Sequence, residues 1–238
     1  MTGSMLPAIF VLQIAYVLVL GARASRRGLL AMAIVSAALF GWGLLTAWFA
    51  RSGVYDAQGF LALLPGIWLP AVPFVLVAVL LVVPSVRGGL EDIATTTPAH
   101  RLVAIHGLRV LAVGTLVKTV QGTFPLEVEL AIGLTDLAYG LSALWVFALA
   151  RSKRISADAL VLWHLVGIAL ILVPGLPSLQ AGLPGPLQAF DRFPTSAVML
   201  DWPMVLGPTL VVPIFLLLNL LGALAARRSA THPQGRTP

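Results

Sequence analysis

An all-α, polytopic transmembrane helix bundle is the fold this sequence predicts, and three observations carry the prediction. Of 238 residues, 59% are hydrophobic and only 10% charged, with a mean hydropathy of +0.98. Soluble domains average about 25% charged residues, so this chain has too little polar surface to face water. Apolar runs of about twenty residues recur along its length, the number that crosses about 30 Å of hydrocarbon. The basic residues fall in short clusters between those runs, which is the orientation signal of membrane proteins.

The elements follow in order. The first apolar span covers 5–22. No Lys or Arg precedes its core, whereas Arg23, Arg26 and Arg27 follow it. That charge order predicts an uncleaved first helix with its far end in the cytoplasm, although Ala-Arg-Ala imitates a signal-peptide cleavage site. Further spans are expected at 28–50, 60–84, 98–120, 128–150, 156–178 and 198–225, giving seven. With the N-terminus outside, the cytoplasmic side collects Arg23, Arg26, Arg27, Arg87, Arg151, Lys153, Arg154, Arg227, Arg228 and Arg236; the outer side has Arg51 and Arg192. Ten basic residues against two favour this topology, and an even number of spans would put a cluster on the wrong side. Residues 1–226 are therefore expected to form one seven-helix domain with a cytoplasmic C-terminus. The polar stretch 227–238 is expected to be a disordered cytoplasmic tail.

Proline gathers in three of these spans: Pro65, Pro70 and Pro73 in the third, Pro174 and Pro177 in the sixth, Pro203, Pro208 and Pro213 in the seventh. An interior proline frees a carbonyl and kinks its helix, which membrane proteins tolerate where neighbours or water satisfy the carbonyl. The outer connection GLPSLQAGLPGPLQAFDRFP mixes turn residues with Leu and Phe and is expected to lie at the interface or cap the bundle. GLEDIATTTPAH is the most polar cytoplasmic connection, with Thr95 to Thr97 placed to cap the fourth helix.

The charges inside the spans point to a site. Arg109 sits too deep in the fourth span to snorkel to the headgroups, so it must face the bundle and find a partner. In the fifth span, Asp136 has Gly133 at i−3 and Gly140 at i+4, so both glycines share its face and let a neighbouring helix approach. Counting back from the short turn between the two spans, Arg109 and Asp136 fall at similar depth, which predicts a buried Arg109–Asp136 pair. The same count sets Lys118 opposite Glu129. Nine residues of α-helix turn Lys118 to the face opposite Arg109, so both pairs cannot share one helix contact and Lys118 is left to the headgroups or the outer loop.

His106 shares the face of Arg109, and His164 in the sixth span falls at the same depth. Two histidines at one depth suit interhelical hydrogen bonds, the commoner use, or else the axial ligation of a haem or part of a metal site. No metal site built on carboxylates is expected, because the acidic residues are scattered, and no metal ligands are assigned. Asp201 and Trp202 are expected at the outer interface and Asn219 near the cytoplasmic end. Without cysteine there is no thiolate or disulfide chemistry. Phosphate-cradling loops, zinc-protease helices and nucleophile elbows are absent from the sequence. The net charge of +6 lies in the inter-span clusters, so nucleic acid is not an expected partner.

The combination HGLRVLAVG, GLTDLAYG and WPMVLGPTLVVP over residues 98–225 resembles an uncharacterised family of small bacterial multi-pass membrane proteins. The resemblance implies an Arg in the fourth span, here Arg109, and a Gly-x-x-Asp-x-x-x-Gly in the fifth, here Gly133, Asp136 and Gly140. It also implies an Asp late in span six and a His near the end of span seven, where this chain has Ala169 and Asn219. It implies no activity. Three readings remain in play. One is a carrier or binding protein of the bacterial inner membrane, with Arg109, Asp136, His106 and His164 contacting a small-molecule ligand. The others are a structural subunit whose charges fix helix packing, and an intramembrane redox protein built on the two histidines. The lipid bilayer is an expected partner in all three.

Overall fold

The computed structural model describes residues 4–231, and all regular structure in that range is helical. The chain opens on α1 (Leu6–Ala24) and α2 (Arg26–Arg51), antiparallel across Ser25. The Ser25 hydroxyl accepts from Gly28 N–H at the start of α2 and donates to Asp92 at 2.6 Å, closing the turn. Then come α3 (Pro65–Leu80), α4 (Pro84–Thr96), α5 (Ala99–Val120), α6 (Leu126–Arg151), α7 (Ala157–Ala181) and α8 (Gly207–Ser229). Six of these, α1, α2 and α5 to α8, are each long and apolar enough to cross a membrane. The pair α3 and α4, bent by 105°, adds a seventh candidate if it is counted as one broken span.

That bend corrects the expected third span. Instead of one helix over 60–84, two short turns at Val54–Asp56 and Gln58–Leu61 precede α3. Gly66 N–H donates to Gln180 Oε1 at the end of α7, while Pro84 O accepts from Arg27 at the start of α2, so α3 runs from one end of the bundle to the other. Pro84 occupies the first position of α4, where its missing N–H costs nothing. The stretch read as a polar connection is thus a helix lying across the bundle end. Val86, Ile93 and Ala94 are buried and Arg87, Glu91 and Thr95 exposed. Thr95 and Thr96 do not cap α5; their hydroxyls donate back to Glu91 and Asp92 carbonyls of α4.

The last span also differs. It begins at Gly207, not 198, because residues 196–206 belong to a loop layer in which Leu200 and Val205 pack on Tyr55, Leu69 and Leu183. Pro203 therefore lies outside the helix. Pro213 lies inside and lacks the N–H that would bond Thr209 O; the Trp42 indole N–H donates to that carbonyl instead, at 3.0 Å. In the same wide turn Val211 O accepts from Gln13 Nε2 at 3.0 Å. Helical structure continues to Thr231, into the stretch expected to be a tail, and residues 232–238 lie outside the described residues.

The distribution of side chains is that of a bundle in lipid. Val11, Leu44, Val79, Trp145 and Val173 are exposed on its outside, while Gln13, Thr46, His106, Arg109, Glu129, His164 and Asn219 are buried inside. α8 is the central helix, with 67% of its apolar window buried against at most 39% in any other span. Arg23, Arg26, Arg27, Arg87, Arg151 and Arg154 gather with Arg227 and Arg228 at the end carrying α4, the basic end. Residues 182–206 cover the opposite end, the loop end.

Candidate functional site

The site is built on the hairpin of α5 and α6, which turns at Gly122, where φ is +69°. α5 is not uniform. Residues Ile105–Ala112 form a 3₁₀ segment between two α-helical halves. At three residues per turn, His106, Arg109 and Ala112 stack on one line, and Thr115 and Lys118 continue the spacing. α6 answers with a single wide turn at Glu129–Gly133 and a small residue at Gly140, whose Cβ would stand 2.5 Å from Val110 N. A helix partner can come that close only to glycine.

Across this contact the Arg109 Nε and Nη2 both donate to Asp136 Oδ1 at 2.5 Å. The guanidinium lies 4.4 Å from the centre of the Tyr139 ring and 5.6 Å from that of Phe215 on α8. Arg109 is only 1% exposed, and its Nη1 has no hydrogen-bond partner. About two helical turns toward the loop end, Glu129 is equally buried with both carboxylate oxygens unbonded, its head folded over Gly133. The nearby Thr115 hydroxyl donates to Ala112 O.

The histidines lie on the other side of the pair. The His106 ring stands 5.6–5.9 Å from those of Tyr139, Trp163, His164 and Phe215, and neither of its nitrogens is bonded. His164 Nδ1 lies 2.9 Å from Asn219 Oδ1, which also accepts from the Tyr139 hydroxyl at 2.8 Å. Trp163 stacks on Tyr139 at 4.5 Å. The structure thus brings all four expected residues into one buried cluster, and adds Tyr139, Trp163, Phe215 and Glu129, which sequence reasoning had not assigned.

A cavity of about 370 Å³ opens beside the cluster, between α1, α5, α6, α8 and the loop layer. Arg109 and Asp136 line it, with Thr115, Lys118 and Gln121 along α5 and apolar walls from Ile132, Met204 and Phe215. Neither histidine lines this cavity. A haem needs an open slot between its axial ligands, whereas His106 is enclosed edge-on by Tyr139 and Trp163, so these residues do not fit one. Among the described residues no three His, Asp or Glu come together to hold a metal ion.

Comparison with curated proteins and with solved structures finds no match. A family model does match, over residues 62–224, a range that holds Arg109, Asp136, His106 and His164 and begins after α2. It is in keeping with the likeness to an uncharacterised family that the motifs of 98–225 suggested. With more than half its length matched, the chain belongs to the family described as Domain of unknown function (DUF8737).

Proposed function

We propose that this chain is a seven-span carrier or binding protein of the bacterial cytoplasmic membrane, with its N-terminus outside. Its ligand is a small amphiphile with an anionic or hydrogen-bond-accepting head. The observation that carries the reading is the 370 Å³ cavity whose wall holds the Arg109–Asp136 pair. Lys118 adds a second positive charge to the same wall, and the apolar lining suits a hydrocarbon or aromatic body. The cluster of Arg and Lys at the basic end supports placing that end in the cytoplasm, so that the cavity faces outward. α3, running the length of the bundle, supports the count of seven.

A thermal-shift assay on the detergent-solubilised chain tests this with octanoate and octylamine as probes. Octanoate raises the melting temperature, octylamine does not, and Lys118→Gln weakens the octanoate shift. Equal responses to the two probes, or none to octanoate, would remove the ligand assignment. One observation favours the second reading, a packing subunit. The ion pair and the close contact at Gly140 hold α5 to α6 whether or not anything binds. On that reading octanoate changes nothing.

A further inference from the structure

The three proline-bearing spans, α3, α7 and α8, meet around a second chamber that the Arg109 site leaves unused. It holds about 210 Å³, and its lining is apolar throughout. Pro70, Pro208 and Pro213 stand in its wall. Each goes with an irregular stretch of its helix: Leu69–Ala71 is a 3₁₀ turn, and Gly207–Val211 is a wide turn with Pro213 just past it. Irregular helix surfaces leave a gap where straight ones would interdigitate, and Gly175 of α7, facing Ile132, adds no side chain to fill it. Ile67 on α3 and Leu172 on α7 are exposed, so the chamber opens sideways between those helices. On its inner side it shares Ile132, Met199 and Val212 with the 370 Å³ cavity beside Arg109, which places the two spaces one side chain apart. Ile132 and Val212 are β-branched and stiff, whereas Met199 has three rotatable bonds and is the movable part of that partition.

We infer that the two chambers take one ligand between them, a single-chain anionic amphiphile whose tail is too long for the Arg109 cavity. Its head lies beside Arg109 and Lys118, and its tail passes Met199 into the chamber between α3, α7 and α8. This rests on the ligand proposed above and adds its length class. What fills the apolar chamber follows from what adjoins it. Charged side chains line the first space and none lines the second, the same division an amphiphile carries along its own length. Through the side opening, a tail longer than the chamber runs on into the bilayer.

Native mass spectrometry of the full chain in detergent tests this by comparing retention of octanoate and palmitate in the parent, Ala71→Trp and Leu172→Trp. Both altered positions are exposed and line the second chamber but not the first, so an indole fills that chamber and leaves the core alone. Detergent takes up the same share of palmitate in every sample, so the ratio between proteins reports the site. Each variant should retain palmitate at least about five-fold more weakly, a loss smaller than two buried methylenes account for, with octanoate within about two-fold of the parent. Palmitate retention that neither variant lowers would overturn the inference, as would an equal loss of both fatty acids or a parent that retains octanoate but not palmitate. In those cases the octanoate site stands. A parent that retains neither fatty acid would remove the ligand itself, and this inference with it.

Discussion

Arg109 is the residue whose presence in so apolar a chain most needs a cause. A guanidinium at mid-span costs about 2.5–3.5 kcal/mol on insertion scales. Two donors to one Asp136 oxygen and the faces of Tyr139 and Phe215 offset that cost, and they hold the head where the cavity ends. Removing one partner leaves the other charged and stranded. Asp136→Asn is therefore expected to lower stability by about 3 kcal/mol or more. Arg109→Gln/Asp136→Asn, which removes both charges, should recover most of the loss. Thermal melting in detergent reads both, and an Asp136→Asn variant that melts like the parent would contradict the pairing. The pair was legible in the sequence because depth can be counted from a short turn. His164 was also legible, by depth, but the aromatic rings around His106 were not, since Tyr139, Trp163 and Phe215 come from three different helices and no spacing within one helix announces them.

Among the elements, α5 shows why a fixed helical period misled. At 100° per residue Lys118 points away from Arg109, yet both line the same cavity. The sequence carried part of the signal in the triplet spacing of His106, Arg109 and Ala112, the period of the 3₁₀ segment, before α-helix resumes at Val113. Three irregular stretches flank the site: this 3₁₀ segment and the wide turns at Glu129–Gly133 and Gly207–Val211. Such turns recur at functional sites. The seat of α5 on α6 depends on Gly140. Gly140→Ala should destabilise by about 1–3 kcal/mol by forcing the helices apart, whereas Gly114→Ala, with nothing within 4 Å of its added methyl, should not destabilise. Equal melting of the two variants would show that the close approach is not needed.

For the whole molecule, composition and run length were enough to predict an all-helical bundle, because the bilayer dictates both. They could not show the break between α3 and α4. Pro84 is one of many prolines, and only packing against Arg27 and α2 decides that the chain turns there instead of running on. Nor could they place the start of α8, since residues 196–206 are apolar enough to pass for helix yet belong to the layer covering the loop end. The claim everything else leans on is that the cavity admits small polar solutes from that end as far as Arg109. The chain lacks cysteine, so single-cysteine variants report without background. Ala112→Cys lies on the cavity wall, while the neighbouring Val113→Cys is exposed on the lipid side. Labelling right-side-out vesicles with a membrane-impermeant anionic thiol reagent compares them directly. The account expects Ala112→Cys to react at least about ten-fold faster than Val113→Cys, the factor that separates a wetted wall from hydrocarbon by about 1.4 kcal/mol. An Ala112→Cys that stays unlabelled, or reacts no faster than its neighbour, would contradict it.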